Sequence, residues 1–173
     1  MIEFKQFNLK SVEASMNPDS EELAKVIMAR IGLEPKKKGA TDKMHRVLLE
    51  LYERAKIAHR TKRPEEAVMT VEEMGYHAGI TRQTMYDYLK RWTNLAIITK
   101  TSYITQGKVV IGYRLNGSTL EQAFERATVQ IQQNLQLTHK YIVELQRLIK
   151  NEKISQAARQ QNLETRQEGT IVA

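Results

Sequence analysis

Apolar residues recur at intervals of three and four through most of this chain and switch once to alternation. After Asn17-Pro18-Asp19, the residues Leu23, Val26, Ile27 and Ile31 share a face. That predicts a helix capped by Asp19, with Glu22 at the capping-box position and Gly32 as its end. Met44, Val47, Leu48, Leu51, Ala55 and Ala58 predict a second amphipathic helix over about 42–60, capped by Thr41. Thr70 with Glu73 opens a short helix that Gly79 breaks. Thr81 caps the next, over about 82–93, with Met85, Leu89 and Trp92 inward. The period then becomes two: Ile97–Ile104 and Val109–Leu115 flank Thr105-Gln106-Gly107-Lys108, which predicts a hairpin.

The last pattern is the longest. Leu120, Phe124, Ala127, Ile131, Asn134, Thr138, Tyr141, Leu145 and Leu148 follow 4-3-4-3 spacing, and Leu135, Ile142 and Ile149 widen the stripe. This predicts one helix over about 118–154, capped by Ser118, with 155–173 frayed or disordered. Ten of the 13 glutamines fall within 122–167 and give that helix a polar, mostly uncharged outer face. Residues 1–16 alternate weakly, as an arm or short strand. The expected fold is mainly α with a small β-hairpin. An N-terminal arm, short helix and basic linker (1–40) precede a compact domain (41–117), the long helix and the tail.

Charge changes the picture by its location. The chain carries 27 Lys+Arg and 20 Asp+Glu in 173 residues, yet residues 36–63 alone hold 10 basic and 3 acidic side chains. Lys36, Lys37, Lys38, Arg60, Lys62 and Arg63 stand at the two ends of that block. Within 80–108, Arg82, Lys90, Arg91, Lys100 and Lys108 are opposed only by Asp87. Such runs are often plain solvated surface. An anionic partner is the functional alternative.

The segment TVEEMGYHAGITRQTMYDYLKRW at 70–92 gives these charges a frame. It resembles the winged helix-turn-helix family, and the resemblance extends over about residues 42–117. Gly75 stands where the family has a small packing residue, Gly79 where it has the turn glycine, and Ile80, Met85 and Leu89 at its apolar anchors. The hairpin stands where the family has its wing. Alanine is commoner than glycine at the position of Gly75, which costs the helix about 1 kcal/mol.

The resemblance implies double-stranded DNA as partner, with the 82–93 helix in the major groove. The helical wheel turns Gln83, Asp87, Lys90 and Asn94 outward, flanked by Arg82, Thr84, Tyr86 and Arg91. Arg82 and Gln83 are the types that pair bidentately with guanine and adenine. Thr81 and Thr84 suit phosphate, as do Lys90 and Arg91. Asp87 reads a cytosine amino group, pairs with Arg91 or repels phosphate, and the ion pair is preferred. In the wing, Lys100, Tyr103, Thr105, Gln106 and Lys108 lie near the tip, and the basic block would widen the phosphate footprint.

A helix of about 30 residues extends about 45 Å, more than its own small domain can cover. The long helix is therefore expected to form a homodimer through Leu120, Phe124, Ala127, Ile131, Leu135, Tyr141, Ile142, Leu145 and Leu148. Regulators of the PadR and MarR types look similar here. Either Asn134 and Thr138 sit on the seam, or the stripe drifts and Leu135 takes it.

Other chemistry is missing from the pattern. Without cysteine there is no disulfide, thiolate site or thiol nucleophile. There is no Walker loop, GxSxG or HExxH, and His45, His59, His77 and His139 lack ligand spacing, so neither an enzyme nor a metal or other cofactor is expected. No membrane span and no signal peptide are evident, and a cytoplasmic, nucleoid-associated location is expected. A small-molecule effector pocket would leave no motif. The leading expectation is a dimeric, sequence-specific transcription regulator. The alternatives are an architectural or segregation protein that coats DNA, and a winged-helix adaptor in a replication or transcription complex.

Overall fold

The computed structural model describes residues 6–35, 37 and 43–171. The chain divides into two units, Met1–Gln130 and Ile131–Ala173. It is mainly helical with one two-stranded antiparallel hairpin. No helix among the described residues is long and apolar enough to cross a membrane.

The first unit opens with α1 (Ser20–Arg30). Asp19 caps it by accepting from the Glu22 amide at 2.7 Å. Glu22 does not complete a capping box: its carboxylate reaches back to the amide and hydroxyl of Ser15, fastening the preceding arm. The buried face also differs from the expected one. Ala24, Met28 and Ala29 are inside, whereas Leu23 and Ile27 are about two-fifths exposed (40% and 39%). Small residues let α1 lie close to its neighbour, and the arm at 6–16 forms no strand.

Helix α2 (Met44–Thr61) buries Met44, Val47, Leu48, Leu51, Ala55 and Ala58, as its periodicity predicts. The cap expected at Thr41 lies outside the described residues. At the other end, Lys62 takes a left-handed turn at φ 57 and closes the helix with its amide on the Ala58 carbonyl. A short 3-10 turn at Pro64–Ala67 leads to Met69, whose amide and carbonyl pair with those of Tyr113 at 2.8 Å each.

Helix α3 (Val71–Ala78) has the full capping box of Thr70 and Glu73. Helix α4 (Arg82–Asn94) is capped by Thr81 and buries Tyr88 besides the expected Met85, Leu89 and Trp92. The hairpin of β1 (Ile98–Thr105) and β2 (Lys108–Leu115) runs in register from Ile98↔Leu115 to Thr105↔Lys108. Its two turn residues, Gln106 at φ 48 and Gly107 at φ 70, both have the positive φ that a tight twisted hairpin demands.

Helix α5 runs from Leu120 to Ile171. Thr119, not Ser118, caps it: the Thr119 hydroxyl accepts from the Gln122 amide at 3.2 Å. Ser118 instead donates its amide and hydroxyl to the Gln122 side chain. The helix continues well past 154, where the apolar pattern stops. The segment SQAARQQNLETRQ consists largely of good helix formers, and no proline interrupts it. Amphipathicity distinguishes the faces of a helix and does not set where its backbone ends.

Candidate nucleic-acid interface

The turn between α3 and α4 sets the geometry of the site. Gly79 takes φ 69, and the Ile80 amide donates back to the Gly75 carbonyl at 3.0 Å. A Cβ built on Gly75 would stand 2.9 Å from the Ile80 oxygen. Glycine at this position is therefore required by the closeness of the turn, and its propensity cost is offset by packing. The N-terminus of α2 lies at the same place, since the Lys43 amide donates to the Ala78 carbonyl at 2.9 Å.

From this turn the cap Thr81 and, on α4, Arg82, Gln83, Thr84, Tyr86, Asp87 and Lys90 face solvent, as the helical wheel predicts. Arg82 is already engaged. Its guanidinium lies 3.0 Å from the Glu72 carboxylate, donates to the Tyr86 hydroxyl at 3.2 Å and rests over the Tyr86 ring. Those partners hold the guanidinium proton more firmly than usual. The Thr81 and Thr84 hydroxyls lie 3.0 Å apart, so their free lone pairs and the helix N-terminus share one spot.

Arg91 leaves the outward set. It is half-buried, stacks over Tyr88 at 4.9 Å, and donates to the carbonyls of Gly32 (2.8 Å) and Glu34 (2.9 Å). Burial lowers its pKa, with Tyr88, Asp87 and Glu34 opposing. No Asp87–Arg91 ion pair forms, because the two carbonyls are the nearer acceptors; Asp87 stays exposed on the surface. A polar cleft of about 600 Å³ adjoins this junction, lined by Asn8, Lys10, Glu34, Asp87, Lys90 and Asn94 among others.

The expected wing residues divide between two faces. Lys100 lies opposite Tyr113, on the face that carries Ile98, Tyr113 and Leu115 into the core. Tyr103, Thr105 and Lys108 lie on the other face, with Arg114. Burial, together with the nearby phenol of Tyr86, pushes the Tyr113 hydroxyl above its ordinary pKa. Tyr113 thus lies near enough to Tyr86 of α4 for the two phenols to interact, and Lys100 is its cross-strand neighbour. From Tyr88 to Leu120 the chain contains no acidic residue.

The basic block is not one patch. Arg54 is spent internally, donating to Glu50, Glu73 and the Val68 carbonyl, and so ties α2 to α3 and to the start of the sheet. Glu73, on the receiving end, is held below the usual carboxylate range by its bonds to Thr70 and Arg54, against the effect of burial. Lys56 pairs with Glu53, and Arg63 with Glu66. Arg60 and Lys62 are exposed at the C-terminal end of α2, about 27 Å along an 18-residue helix from the α3–α4 turn. Lys37 is exposed; Lys36 and Lys38 lie outside the described residues.

Lys43, Glu72 and Tyr76 belong to the site without having been expected there. Tyr76 is 86% exposed beside the turn. The inward stripe Val71, Met74, Gly75, Ala78 leaves it outward, a signal that the helical wheel carries. No local pattern marks Lys43, whose place depends on packing of α2 against α3.

The residues assigned to dimerisation also divide. In the first unit, Ala127 is 2% exposed, and Leu120 and Phe124 pack on the core. Ala127 is thus interior of the first unit, and Leu120 and Phe124 are half-buried at its edge. In the second unit, Leu135, Tyr141, Ile142, Leu145 and Leu148 are exposed, and Ile131 is half-buried. Among the described residues no cluster of His, Asp or Glu has metal-site geometry.

No family model matches the chain, and no curated protein or solved structure matches it.

Proposed function

We propose that this chain is a winged helix-turn-helix protein that binds double-stranded DNA in a sequence-specific way, as a homodimeric transcription regulator. One observation supports the reading: α4 exposes Arg82, Gln83, Lys90 and the Thr81 cap, and it leads directly into a hairpin that carries three cations and no carboxylate. In this reading α4 enters the major groove. Gln83 and Arg82 meet base edges, the Thr81–Thr84 corner meets a phosphate, and Lys90, Lys100 and Lys43 add backbone contacts. Arg91 serves the fold by clamping α4 to the linker. The exposed stripe of α5 supports pairing with a second copy, and the sites of action would be on the nucleoid.

The test is titration of the purified chain onto a random-sequence duplex and a pool of genomic fragments at about 50 and about 200 mM salt, sequencing what stays bound. Recovery of a short inverted repeat at the higher salt is expected. Sequence-indifferent binding that vanishes at the higher salt would favour a DNA-coating role. The exposed Arg60 and Lys62, remote from the α3–α4 turn, are the observation that supports this second reading. Absence of binding at both salts would point to a protein-docking adaptor and defeat both DNA readings.

A further inference from the structure

The core-side face of the hairpin does not end where the core ends. Beyond Ile98, Tyr113 and Leu115 it continues through Ile104, Val109 and Ile111, which are 75%, 66% and 55% exposed. Ile104 and Val109 lie directly opposite each other across the strands, one step from the turn. Their side chains form one knob, because opposed Cβ atoms stand about 5 Å apart. Exposed β-branched residues at a hairpin tip are an aggregation liability unless something covers them.

Charge identifies the cover. Lys100, Lys108 and Arg114 are the only ionisable acids or bases of the hairpin apart from its tyrosines, and no carboxylate lies between Tyr88 and Leu120. An apolar knob with Lys108 beside it, on a hairpin whose other charges are Lys100 and Arg114 nearer the core, suits a polyanion with an apolar interior, which is what a base stack behind its phosphates presents. Apolar side chains wedged at a base step unstack it and kink the duplex. Resting on the DNA-binding reading above, we infer that the Ile104–Val109 tip is a wedge that enters the minor groove and unwinds the duplex beside the site of α4. Lys100 and Lys108, on opposite faces of the hairpin, would then hold the two phosphate walls.

The test needs no knowledge of the target sequence. The full chain is bound to relaxed closed-circular plasmid, topoisomerase I is added, and the linking number is read after deproteinisation. The same plasmid serves for a binding titration of wild type and of the double variant Ile104→Ser/Val109→Ser. Both side chains are exposed, so the variant should melt with wild type. The expected result is a linking-number change with wild type that is lost in the variant while binding remains. If wild type binds without changing the linking number, or the variant changes it equally, the wedge is overturned and DNA binding stands. If wild type does not bind plasmid at low salt, the DNA reading fails and the wedge with it.

Discussion

The Arg91 guanidinium donates to the Gly32 carbonyl at 2.8 Å, across 59 positions of sequence. With its second bond, to Glu34, it fixes the linker before α2 to the side of α4. Hydrogen bonds from a charged donor contribute about 1.5–3 kcal/mol, and here two are made at a half-buried site. Arg91→Ala should lower the unfolding free energy by about 1–3 kcal/mol in urea titration. Under native conditions it should leave the salt slope of DNA binding intact, whereas Lys90→Ala should reduce that slope. An equal loss of slope in both variants would return Arg91 to the phosphate contacts.

Glu72 holds Arg82 by an exposed ion pair and so places a negative charge on the face proposed to meet DNA. Glu72→Gln removes both obstacles. DNA affinity should tighten by a few-fold, and discrimination between sequences should be unchanged, since the reading group is the same. Arg82→Ala should relax specificity. The double variant should resemble Arg82→Ala alone if Glu72 acts through that guanidinium. Competition binding on matched and mismatched duplexes separates these outcomes.

Two glycines are legible in the sequence, and packing revises the reason for one of them. Gly79 reads correctly as the turn residue, because its φ of 69 is a local demand. Gly75 looks like a costly substitute for alanine until the Ile80 carbonyl is seen 2.9 Å from its missing Cβ. Gly112 gives no signal within its strand, yet a Cβ there would stand 2.5 Å from both the Met69 oxygen and a Val68 methyl. Periodicity yields helices, strands and inward faces, because those follow from spacing. Close approach between Met69 and β2, the place of Lys43 beside the turn and the diversion of Arg91 depend on partners distant in sequence. Gly75→Ala should therefore fail to stabilise despite the better helix propensity, and Gly112→Ala should destabilise by about 1–3 kcal/mol, as overpacking does. Thermal melts of the two variants check this.

His45 is buried at 6% exposure, its Nε2 3.5 Å from a Glu21 carboxylate oxygen. Burial lowers its pKa, aided by Lys25 and Arg46 and opposed by Glu21. The unfolded state, with histidine near 6.5, then binds more protons than the folded state. The contribution of His45 to stability is complete above about pH 6.5 and is lost as pH falls from there through the lowered folded value. Urea unfolding between about pH 7.5 and 5 should show that decline, and His45→Gln should flatten it. A decline of undiminished slope in the variant would assign it to other groups.

Along α5 the same repeat meets two fates. Ala127 is 2% exposed inside the first unit, whereas Ile142 and Leu145 are 56% and 57% exposed in the second. Leu135, Ile142 and Ile149 are seven residues apart, with Leu145 between the last two, which is the spacing of a seam between paired helices. A stripe of that kind left bare would expose several large aliphatic side chains, each worth about 1.5–3 kcal/mol on burial. Pairing two copies covers the same residues twice. The chain should sediment as a dimer, and Ile142→Glu or Leu145→Glu should raise the dissociation constant by about tenfold or more. Neither change should shift the melting of the first unit, since neither side chain lies in its core. Ala127→Glu should do the reverse and unfold that unit. Its methyl is enclosed, and a carboxylate there would be buried without a partner. A monomeric wild type at tens of micromolar, or an Ile142→Glu chain that still sediments as a dimer, would remove the exposed stripe of α5 as the self-pairing surface.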